Sequence, residues 1–153
     1  MSMELLKKAE EIVNKSTMYA IGNVLPDKMG WEADWVMAQT DKEGFPAASM
    51  ITAAKADGFS WISFCTALDS NKANRVKENP RACIYLFDVK SFTGISLTGN
   101  IEISVDSEVK KELWYDALGD HFNGPDDEKL CVLTLKPQKY NIFIDFQTLY
   151  GAF

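Results

Sequence analysis

Apolar residues recur along this chain with two periods, and the period distinguishes one element from the next. Over positions 3 to 15, Leu5, Leu6, Ala9, Ile12 and Val13 fall on one stripe with Lys and Glu opposite, the spacing of an amphipathic helix expected to lie as a lid on a sheet. Beyond the turn-rich stretch from Gly22 to Gly30 the period shortens. Ala33 to Thr40 and Ala47 to Ala54 read as strands joined by the hairpin turn Asp41-Lys-Glu-Gly-Phe45. Ala56-Asp57-Gly58 supplies a second turn before a third strand from Ser60 to Thr66. Ala82 to Phe87 is apolar on both faces, as in a central strand or one covered at an interface. From Ile95 to Val105 the alternation is cleanest: Ile95, Leu97, Ile101, Ile103 and Val105 face one way, Ser96, Thr98, Asn100, Glu102 and Ser104 the other. Gly99 interrupts the apolar row, which marks a bulge or the close approach of another backbone. Asp106 or Ser107 then caps a helix with Val109, Leu113, Trp114, Ala117 and Leu118 on one stripe, stopped at Gly119. Leu130 to Lys136 and Tyr140 to Phe146 are two further strands, separated by Pro137-Gln138.

The pattern predicts about seven strands and three helical segments, with most strand links too short for parallel crossovers. A mainly β fold follows, an antiparallel barrel flanked by short helices, because closure removes exposed sheet edges. At 153 residues without repeat, low-complexity tract or linker, residues 1–153 are expected to form a single domain.

Composition narrows the function. Hydrophobic residues make up 46% and aromatics 12%, which excludes disorder, and a net charge of -6 argues against a nucleic-acid surface. The N-terminus is charged where a signal peptide needs an apolar core, and no apolar run approaches membrane-spanning length, so a cytoplasmic location is expected. Cys65, Cys83 and Cys131 are odd in number, far apart and set in apolar runs; they read as reduced core cysteines. His121 is the only histidine, which disfavours a zinc or haem site, and no metal is expected. It reads as a loop residue ahead of Asn123-Gly124-Pro125, and Asp69 as a helix cap, so no catalytic acid or base is nominated. Trp31, Trp35, Trp61 and Trp114 are expected as core or interface anchors.

The chemistry concentrates at Thr66-Ala-Leu-Asp-Ser70-Asn71-Lys72, which follows the strand and leads into a short helical segment ending at Asn79-Pro80. Two hydroxyls and an ammonium at a helix mouth, where free N–H groups and the helix dipole also favour an anion, make a phosphate grip. The expected ligand is phosphorylated.

The order of these motifs resembles the pyridoxamine 5'-phosphate oxidase-like flavoproteins, the FMN-binding split barrels, and among them the general stress protein group. The resemblance rests on Gly44-Phe-Pro46-Ala-Ala-Ser-Met50, Gly58-Phe-Ser-Trp-Ile-Ser-Phe-Cys-Thr66, Ser70-Asn-Lys72, Asn79-Pro80-Arg-Ala-Cys-Ile-Tyr-Leu-Phe87, Ile95-Ser-Leu-Thr-Gly99-Asn-Ile-Glu-Ile103, Leu113-Trp114 and Leu133-Thr-Leu-Lys-Pro137. It implies a homodimer of six-stranded split barrels with FMN at the subunit interface. It places Ser70, Asn71 and Lys72 at the FMN phosphate, Thr66 at the phosphate or ribityl, and Ser49, Met50, Ile51 and Thr52 on the strand beside the isoalloxazine ring. The apolar strand from Ala82 to Phe87 is consistent with a dimer.

Departures from the family pattern are equally specific. Many relatives carry Arg at the places of Ser49 and Asn71, and general stress relatives often carry Trp where Phe143 stands. The Arg-bearing C-terminal segment of the true oxidases is missing, so oxidation of pyridoxamine phosphate itself is not expected. The resemblance implies a flavin-dependent oxidoreductase of unspecified substrate. The alternatives are a flavin carrier or sensor without turnover, the same barrel holding a deazaflavin or haem, or a barrel whose site is vestigial.

Overall fold

The computed structural model describes residues 2–21 and 33–153. In chain order the elements are α1 (Ser2–Lys15), β1 (Ala33–Thr40), β2 (Pro46–Ile51), β3 (Lys55–Asp57), β4 (Trp61–Ala67), α2 (Asn71–Glu78), β5 (Arg81–Asp88), β6 (Thr93–Ser104), α3 (Ser107–Leu113), β7 (Leu130–Ile144) and β8 (Gln147–Ala152). All strand pairs are antiparallel, in the order β2-β1-β5-β6-β7-β4-β3. Strand β4 pairs with the first part of β7 and β8 with its last part, so the two lie end to end along one edge of β7. The sheet curls without closing, a split barrel with flanking helices. The turn-rich stretch from Gly22 to Gly30, and Trp31, lie outside the described residues.

Alternation places one side of each strand in the barrel. Trp35 and Met37 of β1, Ile84 and Leu86 of β5, Leu133 and Leu135 of β7 are all buried there. The Trp35 indole N–H, which needs a partner once buried, donates to the Ser16 carbonyl at 2.9 Å. Helix α1 lays Ala9 and Val13 on the same core. Its polar side is fixed as well: the Glu10 carboxylate and the Asn14 amide oxygen accept from the Phe59 and Gly58 N–H groups at 3.1 and 2.6 Å. Gly58 has φ +52, which favours glycine, and a Cβ there would displace the Glu10 carboxylate from its place 2.0 Å away. A smaller cluster of Met18, Ala54, Leu113, Tyr115, Leu118 and Val132 lies beneath α3 and the segment that follows.

Several features differ from the expected pattern. Pro137-Gln138 does not separate two strands, because β7 runs through it: Thr98 faces Lys139 and Gly99 faces Pro137, leaving Gln138 as the extra residue of a bulge. Proline has no N–H to lose, and a bulge is where a strand tolerates it. Gly99 satisfies both readings of its place, since a Cβ would lie 2.1 Å from the Lys136 carbonyl oxygen.

Strand β8 was not anticipated. The chain reverses at Asp145-Phe146, both with positive φ (49 and 59), so the strand expected to reach Phe146 ends at Ile144. Strand β2 stops at Ile51 rather than Ala54, and Ala56-Asp57 pair within β3 rather than turning. Helix α3 stops at Leu113, where the Tyr19 hydroxyl donates to the Trp114 carbonyl at 2.7 Å in place of a further helical turn. Ala117 and Leu118 then fall in a 3-10 turn, Asp116–Asp120, which includes Gly119 instead of stopping before it. The sheet thus has eight strands rather than seven, and two more than the six implied by the resemblance.

Candidate functional site

Strand β4 delivers Thr66 and Ala67 to the start of α2, and the connection between them is held at both ends. The Leu68 N–H donates to the Lys129 carbonyl at 2.7 Å, and the Ser70 N–H to the Ala67 carbonyl at 3.0 Å. Ser70 caps α2: its hydroxyl oxygen accepts from the Ala73 N–H at 3.2 Å and from the Thr66 hydroxyl, also at 3.2 Å. Its own hydrogen is left to donate elsewhere. Buried Ala73 and Val76 anchor the helix on the core. From behind, the amide of Gln39, only 5% exposed on β1, donates to the Lys72 carbonyl at 3.0 Å. The backbone of Lys72 is thereby fixed while its side chain projects into an open cleft.

That cleft holds about 360 Å³. One wall is the end of β4 and the first turn of α2, with Phe64, Cys65, Thr66 and Lys72. Met50, Ile51 and Thr52, at the end of β2, form a second. The third comes from the chain between α3 and β7, with Tyr115, Leu118, His121 and Phe122. None of the described lining residues is Asp or Glu, although the chain is acidic overall. The arrangement can hold an anion beside Lys72 and an apolar, planar body against Met50, Ile51, Leu118 and Phe122.

Five of the residues singled out in the sequence, Met50, Ile51, Thr52, Thr66 and Lys72, meet in this cleft, and Ser70 supports it through Thr66. Two do not line it. Asn71 borders a neighbouring groove with Asp41, Lys42, Arg75 and Glu78. Ser49 lies one residue deeper in β2, opposite Met37, and its hydroxyl is buried without a hydrogen-bond partner, as is the Gln39 carbonyl oxygen. The third wall was not foreseen, apart from the attention His121 drew as the single histidine.

Burial pushes the Cys65 thiol up to about 12, with nearby Cys131 adding to the effect, so it is a protonated thiol at neutral pH. Burial also raises the Tyr115 phenol, with Cys65 contributing. Neither is a nucleophile or base at neutral pH. The three cysteines are free; Cys131 is buried, whereas Cys65 and Cys83 are half-buried, less enclosed than core residues. Among the described residues no group of three His, Cys, Asp or Glu side chains is placed to hold a metal ion, and no helix is long and apolar enough to cross a membrane.

Comparison with known proteins agrees with the fold. A family model described as pyridoxamine 5'-phosphate oxidase matches residues 35–143. General stress protein 26 of Bacillus subtilis (strain 168) is 29% identical over 76 residues, 48% of this chain and 54% of that protein, so the match spans about half of the relative's length. Among solved structures, a Clostridium acetobutylicum protein related to general stress protein 26 superposes with a TM-score of 0.77 at 22% identity, covering 97% of this chain and 94% of its own. A pyridoxamine 5'-phosphate oxidase-related, FMN-binding protein from Nostoc punctiforme has a TM-score of 0.61 at 13% identity, covering 99% and 94%. A heme-binding protein from Mycobacterium smegmatis has a TM-score of 0.67 at 18% identity, covering 94% of this chain and 57% of its own. At these identities the structural likenesses establish the fold.

Proposed function

This chain belongs to the pyridoxamine 5'-phosphate oxidase family, and from that premise we propose that its cleft binds FMN and that the protein is a cytoplasmic, homodimeric flavin-dependent oxidoreductase of a small-molecule substrate. The observation that carries the reading is Lys72, held by Gln39 from behind and lining, beside Thr66, a cleft with no carboxylate among its described lining residues. The residues fit the group. Lys72 and the hydroxyl of Thr66 would hold the phosphate, and Met50, Ile51, Leu118 and Phe122 would flank the ring and exclude water. FMN, when bound, supplies the electron transfer; the protein supplies position and electrostatics. The Nostoc relative described as FMN-binding supports this choice of ligand.

The outer face of the sheet supports a dimer. Met50, Val36, Tyr85, Ser96, Asn141 and Tyr150 stand side by side across six strands, an uncharged row in which Met50, Tyr85 and Tyr150 are 78%, 43% and 79% exposed. Met50 belongs both to this row and to the cleft, so a second copy on the face would border the ligand.

A haem reading has one observation in its favour: the only histidine lines the cleft, where a single axial ligand is enough for a haem protein. The absorption spectrum of the purified protein, before and after titration with FMN, separates the readings. Flavin bands that stay with the protein through gel filtration are expected. A Soret band would favour haem, and protein that stays colourless after FMN addition would remove the flavin reading. Bleaching of the bound flavin by a reduced nicotinamide then distinguishes an oxidoreductase from a carrier.

A further inference from the structure

We propose that His121 is the second cation of the cleft, its imidazolium joining Lys72 on the anionic group of the ligand and selecting phosphorylated over unphosphorylated flavin. The inference rests on the FMN reading above and assigns a residue to it. Without His121 the phosphate would meet one cation, Lys72, among the described lining residues. Of the described residues that line the cleft, only Lys72 and His121 can carry positive charge, and they come from different walls. His121 caps the 3-10 turn Asp116–Asp120 through its backbone N–H, which donates to the Leu118 carbonyl at 3.0 Å. Its imidazole is exposed and makes no hydrogen bond to any described residue. The ring is therefore fixed at its base and uncommitted at its tip.

The neighbourhood of the ring holds groups of both signs. The titratable groups that share the cleft are Lys72 from α2, Cys65 from β4 and Tyr115 from the segment after α3. The thiol and the phenol are neutral at physiological pH, because burial raises both. On its own turn His121 is accompanied by Asp116 and Asp120, and the following loop carries Asp126, Asp127, Glu128 and Lys129. A phosphate dianion in the cleft would add further negative charge, so binding and protonation of the ring reinforce each other. Imidazoles ordinarily titrate near pH ~6.5, so affinity for the anion should change across the neutral range.

Flavin fluorescence titrations test this with FMN and riboflavin, on wild type, His121→Gln and His121→Arg, between about pH 5.5 and 8.5. FMN has its own phosphate titration, which is common to all variants and cancels in their ratio. The expected result is that His121→Gln binds FMN roughly tenfold more weakly than wild type near pH ~6, with the ratio approaching one at the alkaline end. His121→Arg should keep tight binding at every pH, and riboflavin affinity should be the same in all three. A Gln-to-wild-type ratio of one throughout, with FMN still bound and still dependent on Lys72, overturns the assignment of His121 and leaves the flavin reading standing. An equal loss for riboflavin also overturns it, because the ring would then be contacting the flavin body. Absence of FMN binding by wild type at all pH values sinks both.

Discussion

Ser70 is first of all a helix cap, which changes what its removal should do. Ser70→Ala takes away the acceptor for the Ala73 N–H and the partner of the Thr66 hydroxyl, at a cost of about 1 kcal/mol. In urea unfolding the midpoint should fall with an unchanged slope; no shift would mean that the cap is replaced by water. Ser49 is recast more strongly. Its side chain is on the inner side of β2 and its hydroxyl has no accessible surface, so Ser49→Arg would drive a long cation into packed space. A loss of about 1–3 kcal/mol with no tighter FMN binding is expected. Unchanged melting temperature with tighter binding would put position 49 against the ligand after all. The thiols make a pH prediction. Cys65 and Cys131 are raised from 9.0 to about 12 and about 11, chiefly by burial. Above pH 9 the unfolded chain loses these protons while the folded one keeps them, so their contribution is complete below 9 and is lost as pH rises toward 12. Thermal melting across that window should fall more steeply for wild type than for Cys65→Ala; parallel curves would show that Cys65 does not titrate differently in the two states.

At the scale of elements, the tightest constraint is where β6 crosses the β7 bulge. Gly99→Ala would press a methyl group against the Lys136 carbonyl, and backbone cannot rotate away as a side chain could. A loss of about 1–3 kcal/mol or more in chemical unfolding is expected, and near-neutrality would mean that the bulge can open. The same place shows what a sequence conceals. β6 is legible because its alternation reports which residues face the core, and the burial of Ile95, Leu97 and Ile101 follows it. β7 is not, since Pro137 looks like a break and only the register of its partner reveals a bulge. β8 is hidden because Asp145-Phe146 takes up two positive φ values without the Asn or Gly that usually announces such a turn. The cleft divides likewise. Thr66 to Lys72 is one contiguous motif, whereas Tyr115, Leu118, His121 and Phe122 join it only because β7 pairs with β4 and brings the preceding chain alongside.

For the whole molecule, the exposed row from Met50 to Tyr150 predicts that light scattering will find two copies per particle, and that Tyr85→Glu, which sets a charge in the middle of that row, will shift the mass toward one. A monomeric wild type would remove the second copy from the site. The central claim, that this fold presents a phosphate grip at the start of α2, is tested most directly by calorimetric titration of FMN and riboflavin into wild type and Lys72→Ala. Lys72 is fixed through its backbone carbonyl by Gln39, so removing its side chain should leave the fold intact. FMN should bind the variant roughly ten- to hundredfold more weakly, the worth of a hydrogen bond to a charged group, with riboflavin unchanged. Equal FMN affinity in the two proteins would contradict the account, because the phosphate would then lie elsewhere.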